Sequence, residues 1–227
     1  LQVLALITMS IPITGNADSL HREKYSILSA LKFPRSKKNI VLGQYEGYKK
    51  IKEVPKGSIT ETFVAMRLFI DRESWFRVPI YIRTGKMLHE RHSYIVVELK
   101  KFAFQDTEEP PNRVIIELTP EEKLSIKLVN THGKKSESRD ITTRGNISCD
   151  DENCLPEHAM LLLEVMRGYK VNFLSFQEIL VTWQLIDGII KFVQNGAIPV
   201  EMYEDNSKGP ESQNALAERD GFKWYNV

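Results

Sequence analysis

The chain has 227 residues, 42% of them hydrophobic and 27% charged, and a formal net charge of +1 at pH 7. This composition is typical of a folded protein with a sizeable core, and it excludes an intrinsically disordered chain. No apolar run reaches the roughly 18 residues of a membrane-spanning helix, and a net charge so near zero gives no support to a nucleic-acid partner. We therefore expect neither a membrane nor a nucleic acid as a partner.

The sequence begins in an apolar run, LQVLALITM, without an initiator methionine. The run has no basic leader and no small-residue cleavage site before Pro12, which favours an amphipathic helix over a signal peptide. We expect the chain to be the later part of a longer protein. A loop with a short helix is predicted for residues 13–40.

Strand signals dominate residues 39–129. Between residues 60 and 70 the even positions are the more uniformly apolar set, as in a strand that packs one face on a core. The connections between strands are too short for crossover helices, which predicts one large, mainly antiparallel sheet. The strands are predicted at residues 39–48, 60–70, 78–84, 93–102, 113–118 and 123–129.

Helical patterns follow a polar segment, residues 130–155, that is predicted to be irregular. The first helix has Pro156 in its opening turn and Gly168 after its last periodic residue. The second opens on the capping box Ser175–Glu178 and ends at Gly196. A last short helix is predicted from about residue 211 to residue 219. Strands first and helices afterwards indicate an α+β fold, with helices packed on one face of the sheet.

Two cysteines lie in the acidic loop before the first of these helices, at Cys149 and Cys154, with His158 nearby. Zinc sites commonly use two matching Cys or His pairs, and this C-x4-C spacing has no second pair. We therefore predict free thiols in a surface loop and no metal site.

A cluster of cations follows the strand VPIYI, where Arg83, Lys86 and Arg91 fall within nine residues. Ammonium and guanidinium groups at a strand end are suited to binding an anion, most directly a phosphate. The alternative is that they are solvated turn residues, which is the usual state of isolated lysines and arginines.

The sequence as a whole resembles the glucose-6-phosphate 1-dehydrogenase family, in order and with similar spacing along essentially the entire chain. The patterns VP-x2-S-x-T-x-TF from Val54 and VP-x3-RTGK from Val78 are specific to that family. The other matching segments are individually weaker; they are LQVLALITM at 1–9, VLGQY at 41–45, PE-x3-LLLE-x3-G at 156–168, F-x6-W at 176–183 and Y-x3-S-x-GP at 203–210.

The resemblance implies that residues 1–227 are the C-terminal α+β domain, which serves substrate binding and oligomerisation. The NADP fingerprint G-x-G-x-x-G of the N-terminal dinucleotide-binding domain does not occur in the sequence. The family's catalytic histidine matches a position just before Leu1. The resemblance therefore implies no catalytic or cofactor-binding residue in this chain, NADP bound mainly by the N-terminal domain, and no activity of the chain alone.

Two substrate-binding residues carry over by position. Lys86 matches a lysine that contacts glucose 6-phosphate, and Arg91 matches the next substrate-contacting cation. The parent protein is expected to oxidise glucose 6-phosphate to 6-phosphogluconolactone with NADP, as a cytoplasmic homodimer or tetramer assembled through the sheet. The alternative is a non-catalytic homologue that acts as a binding or scaffold domain.

Some members of the family bind a second, structural NADP on this domain, and here the match is poor. Arg83 matches one contact, but His92, Val96 and Glu117 stand where those members carry cations, and Ser125 replaces a stacking tyrosine. A carboxylate is unfavourable beside a phosphate. We predict no structural NADP site.

Overall fold

The computed structural model describes residues 1–34, 36–101, 110–132, 135–144, 155–196 and 198–225, and it contains both helices and sheets, which confirms the α+β prediction. The chain divides into two compact units: unit 1 holds residues 1–89 and 155–224, and unit 2 holds residues 90–154 and 225–227. The helices are α1 Gln2–Thr8, α2 Ala17–Ala30, α3 Glu157–Arg167, α4 Phe176–Gly196 and α5 Gln213–Glu218. The strands are β1 Leu31–Lys32, β2 Ile40–Tyr45, β3 Phe63–Ile70, β4 Ile80–Gly85, β5 Ser93–Glu98, β6 Arg113–Thr119, β7 Lys123–His132, β8 Lys135–Arg144 and β9 Val200–Tyr203.

The sheet of unit 1 is centred on β3. Strands β1, β2 and β4 all pair with β3 in the antiparallel sense, while β9 adds to β2 in parallel. Every described strand pair except β2–β9 is antiparallel, so the mainly antiparallel prediction is confirmed.

One face of this sheet carries the larger core. Met66, Leu68 and Ile70, three of the predicted even positions of β3, are buried against α1, α2 and α4. Leu28 of α2 and Leu185 of α4 are the helical partners in this cluster. The expected helical layer on one face of the sheet is therefore present.

The opposite face of β3 is also covered, which the alternation did not predict. Phe63 and Ala65, at odd positions, are buried in a second cluster with Tyr203 and with Leu216 of α5. Strand β9 and the segment after it therefore close the other side of the sheet, and β9 places Tyr203 next to the start of β3.

The prediction of one continuous sheet was wrong, because the described strands form two hydrogen-bonded sheets with no strand pairing between β4 and β5. The chain turns after Gly85: Met87 has a φ of 50°, in the left-handed region, and Leu88 bridges to Ser207. The backbone of this segment therefore bonds to the 203–210 segment instead of to the next strand.

Unit 2 contains an antiparallel meander in the order β5-β6-β7-β8. Strand β8 lies in a segment that was predicted to be irregular, and that prediction was wrong. Its sequence, KSESRDITTR, has a single large apolar residue, Ile141, so it shows no hydrophobic alternation. The ladder to β7, which runs from Lys123–Arg144 to His132–Lys135, holds it as a strand at the sheet edge.

The predicted helix ends are largely observed. Gly168 closes α3 in the left-handed conformation with φ 74°, and α4 ends at Gly196. The backbone N–H of Glu178 donates to Ser175 Oγ at 3.3 Å, as in a capping box. The Glu178 carboxylate is instead buried against α2, where its Oε2 lies 2.9 Å from Lys24 Nζ. Helix α2 itself is a full 14-residue helix where a loop and a short helix were expected.

Candidate functional site

Lys86 lies directly after β4, at the end of its ladder with β3. Gly85 pairs with Phe63 in the register, and the backbone N–H of Lys86 donates to the Thr62 carbonyl at 2.8 Å. The Lys86 side chain is exposed. Strand pairing therefore fixes the backbone of a lysine whose side chain is accessible to a ligand.

The carbonyl of the same residue is bound by a buried tyrosine. Tyr203, only 4% exposed on β9, donates its hydroxyl proton to the Lys86 carbonyl at 2.7 Å. Burial raises the pKa of Tyr203 above its ordinary value near 10, so the phenol keeps its proton at neutral pH. Both backbone groups of Lys86 are consequently paired.

The bond from Tyr203 to Lys86 is the end of a directed chain of hydrogen bonds. A phenol has one proton, so when Tyr203 donates to Lys86, the Thr62 hydroxyl, 3.0 Å away, must donate to the Tyr203 oxygen. Thr62 Oγ1 in turn accepts from the backbone N–H of Tyr45 at 3.0 Å. Bonds arranged in this way polarise and strengthen one another.

The loop before β3 is held by a second buried side chain. Gln44 donates from Nε2 to the carbonyls of Thr60, at 2.8 Å, and Ser58, at 3.2 Å. These two residues and Thr62 are the polar positions of the S-x-T-x-TF pattern. Within this pattern, the Ser58 and Thr60 carbonyls accept hydrogen bonds from Gln44. The Thr62 hydroxyl belongs to the series of hydrogen bonds that leads through Tyr203 to Lys86.

Two glycines allow the turn to approach the Phe63 ring. A Cβ placed on Gly85 or on Gly209 would lie 2.6 Å from the ring, and Gly209 has a φ of 91°. Farther along, Asn206 N–H donates to the Met87 carbonyl at 2.8 Å and His89 N–H to the Ser207 carbonyl at 2.9 Å. The RTGK, S-x-T-x-TF and Y-x3-S-x-GP patterns, distant in sequence, thus form one scaffold under Lys86.

The three cations of the predicted cluster differ in their surroundings. Arg83 is packed inside unit 1, where its guanidinium lies 4.7 Å from the centre of the Trp224 ring and Nη1 is 3.2 Å from Gln213 Oε1. Lys86 and Arg91 are both exposed, Lys86 in unit 1 and Arg91 in unit 2. Arg83 therefore serves packing, which leaves Lys86 and Arg91 as the predicted ligand contacts.

Several of the unit 2 residues that argue in the sequence against a structural NADP site take part in an internal network. Glu117 Oε1 lies 2.9 Å from Lys123 Nζ, and Glu117 Oε2 lies 3.2 Å from His92 Nε2. The hydrogen bond from Lys123 lowers the pKa of the Glu117 carboxyl. Ser125 Oγ lies 3.3 Å from Thr142 Oγ1. A carboxylate held in this way does not fit a dinucleotide phosphate.

Sequence reasoning missed the residues that support Lys86. Tyr203, Thr62 and Gln44 stand out in the sequence only as letters of the matching patterns. Tyr203 comes close to the other two because β9 pairs in parallel with β2. Among the described residues no group of three or more His, Cys, Asp or Glu side chains is placed to hold a metal ion, and Cys149 and Cys154 lie outside those residues. In the same ranges no helix has the length and apolar character needed to cross a membrane.

Residues 1–225 match the family model described as glucose-6-phosphate dehydrogenase, C-terminal domain. The glucose-6-phosphate 1-dehydrogenase of Dickeya dadantii (strain 3937) is 34% identical over the whole of this chain and 51% of its own length. The chain thus spans about half the length of the curated relatives that it matches.

Two solved structures share the fold. The glucose-6-phosphate 1-dehydrogenase of Mycobacterium avium is 27% identical with a TM-score of 0.81, over 99% of this chain and 48% of its own. A glucose-6-phosphate dehydrogenase in complex with its substrate glucose-6-phosphate superposes with a TM-score of 0.85 at 23% identity, over 99% of this chain and 49% of its own. The chain belongs to the glucose-6-phosphate dehydrogenase family, of which it is a C-terminal domain.

Proposed function

We propose that residues 1–227 are the substrate-binding and oligomerisation domain of a longer protein that oxidises glucose 6-phosphate to 6-phosphogluconolactone with NADP, the first step of the oxidative pentose phosphate pathway. The longer protein consists of this chain preceded by the half that its relatives carry in addition. The observation that supports the proposal best is the fixed backbone of Lys86, whose exposed ammonium is presented by strand pairing on one side and by Tyr203 on the other.

The proposed role of Lys86 is to hold the substrate by hydrogen bonds to its phosphate or its hydroxyl groups, and that of Arg91 is to engage the phosphate with its planar guanidinium. Fixing the backbone before the substrate arrives reduces the conformational entropy that binding must overcome. NADP, which accepts the hydride, belongs to the preceding half in this proposal, as does the histidine that removes the hydroxyl proton. The 227-residue chain alone is therefore expected to be inactive.

We further propose that the longer protein is a cytoplasmic homodimer or tetramer assembled through the sheet. Exposed apolar residues on the described strands of unit 2, among them Leu124, Leu128 and Ile141, supply surface for such a contact. Sedimentation of the longer protein tests the oligomeric state, and a mass equal to one chain contradicts it.

The test of the activity is glucose-6-phosphate-dependent reduction of NADP by the longer protein and by its Lys86→Ala variant, with Lys191→Ala, an exposed lysine of α4, as the control. We expect activity in the parent and the control and a sharp loss in the Lys86 variant. No activity in the parent supports the alternative of a non-catalytic binding or scaffold homologue. Equal activity in all three proteins supports the proposed reaction but contradicts the proposed role of Lys86.

A further inference from the structure

Helix α4 is apolar on two sides. Its inner side packs Leu185 and Ile189 into the core of unit 1. On the outer side Phe176, Leu180 and Trp183 recur at the i, i+4, i+7 spacing of one helix face, and all three are exposed, Phe176 at 72% and Trp183 at 61%. Because a surface helix of a folded protein usually has a single apolar stripe, which faces the core, the second apolar side of α4 calls for an explanation.

Helix α3, which precedes α4 in the chain, also exposes apolar side chains. Leu162 and Met166 lie one turn apart and are 67% and 84% exposed, and Tyr169 follows in the connection to α4. In the part of unit 1 that the structure describes, α3 packs extensively against no other helix or strand. We give the name α3–α4 face to the exposed apolar side chains of α3, of its connection to α4 and of the first half of α4.

The connection between α3 and α4 is held by hydrogen bonds to both α3 and α2. The amide of Asn172 donates to both carboxylate oxygens of Glu164, at 2.9 and 3.0 Å, which ties the connection to α3. His21 Nε2 of α2 lies 3.0 Å from the Phe173 carbonyl, which ties it to the core layer. The apolar side chains are therefore displayed by fixed backbone.

From residue 171 onward the composition of this region is that of the centre of a protein–protein interface, whereas Arg167 and Lys170 are exposed charges at its α3 end. Between residues 171 and 186 the one ionisable side chain is Glu178, which is buried against Lys24. Methionine and aromatic side chains are enriched at the centre of interfaces and charged ones are depleted. Monomeric proteins rarely leave an apolar area of this kind in water.

We propose that the α3–α4 face is the surface on which the preceding half of the longer protein docks. The matched relatives are about twice as long as this chain, so they carry a further segment of about the size of this chain. Permanent interfaces are more apolar than transient ones, and two halves of one polypeptide meet at high effective concentration. The inference rests on the proposed function only in requiring that the preceding half exists.

Hydrogen exchange measured by mass spectrometry tests the proposal without reading activity. Exchange is compared in peptides from α3 and the first half of α4, in the 227-residue chain and in the longer protein, with peptides from β3 as the internal reference. We expect exchange in the α3–α4 face to be about tenfold slower in the longer protein, because docking stabilises the helices against local opening. The reference peptides in β3 should change little, since β3 is already buried.

Two variants of the longer protein separate docking from general stabilisation. The double substitution Met166→Glu and Trp183→Glu places charge on exposed positions, so the 227-residue fold should tolerate it, while docking in the longer protein should be lost and exchange should return to the fast rate. Ile13→Glu, at an exposed isoleucine outside the face, should leave exchange unchanged.

Equal exchange of the face in the two proteins overturns the proposal. Slow exchange already present in the 227-residue chain, together with a sedimentation mass of two chains, overturns it in favour of a second copy. Slow exchange in a longer protein that does not oxidise glucose 6-phosphate supports the docking proposal while contradicting the proposed function.

Discussion

The hydroxyl of Tyr203 donates a 2.7 Å hydrogen bond to the backbone carbonyl of Lys86, 117 residues earlier in the chain. This bond joins β9, the last strand, to the turn after β4. It is formed inside unit 1, where Tyr203 is buried in the second core cluster with Phe63. Lys86, which is predicted to bind substrate, is therefore supported by a residue that is distant from it in the sequence.

Replacing Tyr203 with Phe removes the donor while keeping the ring. The Lys86 carbonyl and the Thr62 hydroxyl lose a partner, so we expect the free energy of unfolding to fall by about 1–3 kcal/mol. Urea denaturation measures this change. Tyr25→Phe, at an exposed position of α2, should change it by less than about 0.5 kcal/mol, and an equal effect of the two substitutions contradicts the buried network.

Replacing Gly209 with Ala tests the close approach of the scaffold to Phe63. The added Cβ would lie 2.6 Å from the buried ring, on a residue with a φ of 91°. Overpacking and a left-handed backbone are each unfavourable, so we expect a loss of about 2 kcal/mol or more. Gly57→Ala is the matched control, because a Cβ there meets nothing within 4 Å. A Gly209 variant as stable as the Gly57 variant contradicts this packing.

Lys24→Met should be among the most destabilising single substitutions, because it leaves the fully buried Glu178 carboxylate without its cation. We expect a loss of about 3–5 kcal/mol in thermal or chemical unfolding. Substituting both residues with Met removes the unpaired charge as well, so most of the loss should be recovered. A double variant no more stable than Lys24→Met contradicts a charge effect.

The dependence of the free energy of unfolding on pH should reflect the protonation of the Glu117 carboxyl. Its usual carboxyl pKa of 4.5 is lowered in the fold, first by the hydrogen bond from Lys123, so the unfolded chain binds more protons in this range. The stabilisation is therefore fully present above about pH 4.5 and is lost as the pH falls towards the folded pKa. Glu117→Gln should reduce stability at pH 7 and flatten the acid limb of the curve. If the acid limb of the variant runs parallel to that of the unsubstituted protein, Glu117 does not contribute to the pH dependence.

The same network underlies the prediction that no structural NADP binds to this domain. Titration of the 227-residue chain with NADP at physiological salt should show no tight binding, since Glu117 is a carboxylate already paired with His92 and Lys123 and would repel a phosphate. A tight complex would refute the prediction.

Hydrophobic periodicity together with capping and turn residues predicted β2 to β7 and the helices α3 to α5, because both signals are local in the sequence. Strand β8 was missed because its polar sequence has no hydrophobic alternation. It is a strand because its backbone pairs with β7. The two sheets separate after Gly85 because the backbone there bonds to the 203–210 segment. A pattern of neighbouring residues cannot predict a contact so distant in sequence. Lys86 and Arg91 were recognised through family patterns, whereas the supporting role of Tyr203 required the tertiary pairing of β9 with β2.

Tyr203 is expected to act on substrate binding through Lys86, and a double-mutant cycle on the KM for glucose 6-phosphate of the longer protein tests this coupling directly. Alone, Lys86→Ala should raise KM by about 10- to 100-fold and Tyr203→Phe by about 5- to 10-fold, with stability measured in parallel. If Tyr203 positions Lys86, Tyr203→Phe should have almost no further effect on KM in the Lys86→Ala background. Multiplication of the two single effects in the double variant would contradict the coupling.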